Sequence, residues 1–158
     1  MGTRSVHFFP DKSGKIRYQY LQFDGYPSVQ IFKFLNAFNR ETLTKKGRKI
    51  YIPTHPFSRD VVVDFLEAYY KCRSFDSPHS FGESDVVDDA RMKQIIDNYD
   101  FGANYYYVWH FDEHDVLKLT VHSEGKEVLV DFEPLFDSFA INPDEKQKFA
   151  DEIQAKFN

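Results

Sequence analysis

Apolar and polar positions alternate along residues 3–9 (TRSVHFF) and 16–23 (IRYQYLQF), and both segments are rich in β-branched and aromatic side chains. In the second, Ile16, Tyr18 and Tyr20 share one face, and Arg17, Gln19 and Leu21 share the other. The intervening PDKSGK is a turn cluster in which Gly14 can take a positive φ. These features predict an N-terminal β-hairpin. The period then changes. Pro27 suits a first helical position, and Ile31, Phe34, Leu35 and Phe38 follow as one helical stripe. Val62, Phe65, Leu66 and Tyr69 repeat the stripe behind a cap at Ser58. Met92, Ile95, Ile96 and Tyr99 give it a third time, in a helix expected to start near Asp85 with Asp88 and Asp89 in its first turn. Residues 39–50 and 71–84 read as loops, and Tyr51-Ile52-Pro53 as a short extended segment.

Alternation returns at residues 104–111 (NYYYVWHF), 115–122 (DVLKLTVH) and 126–132 (KEVLVDF). The turns between them, Asp112-Glu113-His114 and Ser123-Glu124-Gly125, make a three-stranded antiparallel meander. Residues 133–139 read as a helical turn or two. Asn142-Pro143-Asp144-Glu145 is a helix start, and Phe149, Ile153 and Phe157 line the face of the helix that follows. The order ββ-α-α-α-βββ-α predicts an α+β fold: an antiparallel sheet of about five strands, hairpin plus meander, with helices packed on one face. No repeat or biased linker divides the chain, so residues 1–158 are expected to form a single domain.

Composition sharpens this picture in three ways. The 158 residues include 17 Phe, 10 Tyr and 1 Trp, an aromatic share of 18%. A net charge of −5 argues against broad binding to duplex nucleic acid. The single cysteine, Cys72, cannot form an internal disulfide, and no stretch reads as a signal peptide or a membrane span. A soluble cytoplasmic protein without cofactors is expected.

Motif chemistry is sparse. Walker-type, G-x-G-x-x-G, H-E-x-x-H and G-x-S-x-G patterns are missing. His110, Asp112 and His114, spaced by two, have metal-like chemistry on a strand but a hairpin tip's composition, so no metal site is assigned. Cys72 lies beside two cations but at the negative end of a helix dipole, which opposes a thiolate. The basic loop 45–49 reads as solvated. Tyr105, Tyr107, Trp109 and Phe111 fall on one strand face, and Tyr106, Val108 and His110 on the other. A strand with rings on both sides is either central and buried or offers rings to a partner.

Two short segments carry a resemblance. Met1-Gly2-Thr3-Arg4-Ser5 and Gln22-Phe23-Asp24-Gly25-Tyr26-Pro27 resemble the M-G-T-R-S start and Q-[FY]-D-G-Y-P segment of a family of small uncharacterised proteins of bacteriophages, prophages and bacteria. The likeness covers about the first 38 residues. Where that family often has a glycine after the proline, this chain has Ser28-Val29-Gln30. The resemblance implies a mobile-element origin and no established activity. Physically, Arg4 and Asp24 would meet if the hairpin closes, with Tyr26 covering them. The cluster is either a structural latch or a pocket in which Arg4 holds an anion.

Three functions are expected, in descending order. The first is a non-enzymatic phage or mobile-element protein that binds and modulates a host protein, of inhibitor or anti-defence type. Its contacts would be Arg4, Asp24, Tyr26, Tyr105, Tyr107 and Trp109. The second is a protein sequestering a nucleotide or similar anionic messenger. The third is a hydrolase using His and Asp residues, with one of His55, His110 or His114 essential to turnover. An aromatic edge strand also allows a homodimer.

Overall fold

The computed structural model describes residues 2–37, 59–72, 85–132 and 143–158. Six strands form one mixed sheet: β1 (Ser5–Pro10), β2 (Ile16–Leu21), β3 (Val86–Val87), β4 (Tyr105–Phe111), β5 (Leu117–Ser123) and β6 (Lys126–Asp131). Their spatial order is β3-β2-β1-β4-β5-β6. The four helices are α1 (Pro27–Ala37), α2 (Arg59–Cys72), α3 (Asp89–Asp97) and α4 (Pro143–Ala155). The α+β class, the N-terminal hairpin and the C-terminal meander follow the sequence pattern.

Both hairpins that open on an aspartate are built the same way. Asp11 Oδ1 accepts from the N–H groups of Ser13 and Lys15, at 2.9 Å each, and Asp112 Oδ1 accepts from those of His114 (2.8 Å) and Val116 (3.0 Å). Each turn then needs a left-handed residue, supplied by Gly14 at φ +83° and by Asp115 at φ +60°. The β5–β6 turn places Glu124 and Gly125 at φ +49° and +80°, the type I′ geometry that matches strand twist. Asp11 also accepts from Arg17 Nε at 3.0 Å. Burial raises its pKa, but these bonds outweigh burial and hold it below the usual carboxylate value.

Two features depart from the pattern reading. The hairpin and the meander meet through a parallel pairing of β1 with β4, Ser5 opposite Tyr105 through Phe8 opposite Val108. The helices also cover both faces. Phe9, Tyr105, Tyr107 and Trp109 pack with residues of α1, α2 and α4. Val6, Phe8, Tyr106 and Val108, at the alternate positions, pack with Met92, Ile95 and Ile96 of α3. A sheet apolar on both sides must be covered on both, and one-sided packing would leave Phe8 and Tyr106 wet. The sixth strand is small: Val86-Val87 pairs with Ile16 and Arg17, which delays α3 to Asp89. Asp88 is its cap, accepting from Arg91 N–H at 2.7 Å. Phe38, residues 39–53, Ser58, residues 73–84 and 133–142 lie outside the described residues, as does the Cys72 side chain.

Across the β1–β4 seam, the His7 ring stacks on Tyr107 at 4.4 Å and 6°. His7 is buried and bonds Ser5 Oγ through Nε2 (2.9 Å) and the Tyr70 hydroxyl through Nδ1 (2.8 Å). Trp109 Nε1–H donates to the same hydroxyl at 2.6 Å. One polar chain thereby ties β1, β4 and α2 inside an apolar core, where unmade bonds are costly. His7→Phe keeps the ring stack but removes the His7 bond from Ser5 Oγ and from the Tyr70 hydroxyl, which keeps its bond from Trp109. It should destabilise by about 1–3 kcal/mol, or roughly 2–4 °C in melting temperature per kcal/mol, measured by thermal denaturation. An unchanged melting temperature would show that the network adds nothing.

Candidate functional site

The two signature segments lie against each other, but through backbone rather than charge. Gly25 N–H donates to the Thr3 carbonyl at 2.9 Å, and the Gly25 carbonyl accepts from the Tyr107 hydroxyl at 2.6 Å. A Cβ on Gly25 would lie 2.9 Å from the carbonyl carbon and oxygen of Arg4 and from the Thr3 oxygen. Only glycine fits this approach. Asp24 sits at φ +57°, and its carbonyl accepts from Gln30 Nε2 at 2.6 Å. The Arg4 carbonyl accepts from Asn104 N–H at 3.0 Å, which extends the contact to the start of β4.

The expected Arg4–Asp24 ion pair is not among the ion pairs of the described residues. The Arg4 side chain instead reaches Gly102, where a Cβ would lie 3.1 Å from Nη1. Tyr26 leans toward Tyr105, ring centroids 6.0 Å apart, and is itself 47% exposed, beside Phe23 at 54%. Tyr105, Tyr107 and Trp109 are buried in the core. The expectation that these three present rings to a partner therefore gives way to packing: β4 is central, so both its faces are covered.

His110 bonds Thr120 Oγ1 through Nε2 at 2.9 Å, and His114 is exposed beside Glu113 at 3.7 Å. His55 lies outside the described residues. The Asp112 carboxylate is engaged by its turn. Among the described residues no group of three histidine, cysteine or acidic side chains converges as a metal site.

A cleft that no sequence motif marks opens between α3 and the β4–β6 meander, with a volume of about 570 Å³. That is within the usual range for small-ligand sites. Tyr106, Val108, Thr120 and His122 form its floor. Met92, Lys93, Ile96 and the flanking Asp89 and Asp97 form one wall, and residues 123–127 form the other. Tyr99 is also at its lining, held left-handed at φ +53°. The Tyr106 hydroxyl donates to the Asp100 carbonyl at 2.7 Å, and burial pushes its pKa up to about 12. Burial lowers the His122 pKa below its usual 6.5 against the opposing pull of Glu127, 4.0 Å from Nδ1, and Asp97. His110 is lowered too, by burial first and by Lys118 second, against Asp112 and Glu127. The sequence held one sign of the cleft, the polar His122 and Thr120 on a strand face shared with Tyr106. Nothing local showed that α3 would stop short of covering them.

No family model, curated protein or solved structure matches this chain. Among the described residues no helix is long and apolar enough to cross a membrane.

Two outcomes follow. Gly25→Ala should destabilise by about 1–3 kcal/mol through overpacking against backbone, read by urea denaturation, whereas Arg4→Ala should cost less than about 1 kcal/mol. The opposite order would restore the ion-pair latch. Both half-buried imidazoles hold pKa values below 6.5 in the fold, so the unfolded chain binds more protons just below that pH. Stability present above about pH 6.5 is therefore lost as pH falls toward the folded-state values. His110→Gln with His122→Gln should flatten that slope between pH 7 and 5.

Proposed function

We propose that this chain is a non-enzymatic binding protein that occupies and modulates a surface of a host protein in the host cytoplasm, as an inhibitor or anti-defence factor. The observation that carries the reading is the QFDGYP corner. Phe23 and Tyr26 each leave about half their surface in water on either side of Asp24, whose carboxylate takes part in no ion pair among the described residues. Large rigid rings on a preorganised backbone are the side chains that anchor interfaces, because little entropy remains to be lost on docking. The backbone contacts of Gly25 and the Gln30 bond to Asp24 supply that rigidity. The acidic net charge favours a basic partner surface. The mobile-element origin implied by the two signature segments supports a host protein as that partner.

The test is capture from host lysate with the tagged chain and with a Phe23→Ser/Tyr26→Ser variant. The variant should keep its fold, within about 1 kcal/mol, and lose the partner. Capture of one stoichiometric protein by the parent alone supports the reading. No stoichiometric partner, or equal capture by both, overturns it.

A further inference from the structure

We infer that the cleft between α3 and the β4–β6 meander is a second binding site, distinct from the QFDGYP corner, and that it takes a linear organic cation with two or more ammonium groups, the chemistry of a polyamine.

The cavity comes first. Its floor and inner wall are partly apolar, through Met92, Ile96, Val108 and the ring of Tyr106, so the ligand needs a hydrocarbon body. Charge then fixes its sign. Asp89 and Asp97 stand on the α3 wall, and Glu124 and Glu127 on the hairpin wall, against Lys93 and Lys126. Four carboxylates over two lysines leave two net negative charges, since His122 is held neutral above about pH 6.5. Among the described residues, none of the four carboxylates lies within ion-pair distance of a lysine or arginine. A concave acidic site attracts cations and repels a nucleotide's phosphates. The two acidic walls face the space from opposite sides, so a chain with separated ammonium groups can answer both while its methylenes cross the floor. Tyr99, left-handed at the lining, adds a ring that can meet an ammonium group. A lone divalent metal suits the site poorly, because among the described residues no three ligating side chains converge there.

Exposed ion pairs are individually weak, so affinity should be modest, with Kd about 0.1–1 mM for spermidine. The experiment is titration calorimetry of the full chain with spermidine at 50 mM salt, with ATP and a neutral diol as controls and amide chemical shifts as the map of the site. Expected are saturable spermidine binding, shifts confined to residues 89–99, 106–108 and 120–127, and about a tenfold loss in Asp97→Asn/Glu127→Gln. That variant should keep its melting temperature near neutral pH, because Asp97 is in no ion pair among the described residues and Glu127 meets only the His122 imidazole, 4.0 Å away and neutral there. The Phe23→Ser/Tyr26→Ser variant should bind spermidine like the parent, so this inference and the proposed partner corner can fail separately. No saturable binding up to about ten times the expected Kd would overturn it, as would shifts elsewhere, equal binding by the double variant, or preference for ATP.

Discussion

Pairing of β1 with β4 brings together residues about a hundred positions apart, and every other feature of the molecule is arranged around that seam. Parallel strands gain no help from a tight turn, so side chains must hold the register. Here His7 stacks on its register partner Tyr107 and bonds Tyr70 from α2, while Trp109 two positions along β4 donates to the same hydroxyl. A one-residue slip would turn His7 and Tyr107 to opposite faces and strand the network in the core. Many rings of the described residues join this core. Phe34 meets Trp109, and Trp109 stacks on Phe132, so rings from helix, central strand and the end of β6 form one continuous core.

The seam also sets the N-terminal corner. Because β1 is central, the segment before it runs between the DGYP turn and the start of β4. There is room for backbone only, hence glycine at position 25. The same contact that excludes a side chain from Gly25 fixes Phe23 and Tyr26 at the surface. Rigidity and exposure at that corner thus have one cause.

The opposite face of the sheet is finished differently. The nine-residue α3 covers Val6, Phe8 and Tyr106, and its end is followed by left-handed residues at Tyr99 and Phe101. The meander continues past it toward β6, where Leu129 is 59% exposed. A short helix over a wider sheet leaves a concave margin, and the polar side chains of β5 and the β5–β6 turn line it. The cleft is a consequence of unequal element lengths, with its charge supplied by residues that no motif marks.

Local pattern by itself determined the hairpin, the meander, the four described helices to within a few residues of their ends and the places of the turns, but it read Asp115 as strand and Tyr99 as helix where the structure has left-handed residues outside both. Periodicity and turn chemistry act over a few residues and need no distant partner. The glycine of the DGYP segment was visible too, although its reason was not. Tertiary structure alone decided the parallel seam, the second covered face, the backbone nature of the Arg4–Gly25 contact and the cleft beside His122. Each depends on which distant surfaces meet, and rings at positions 105–109 are equally compatible with a buried centre and an exposed edge until β1 takes its place beside them.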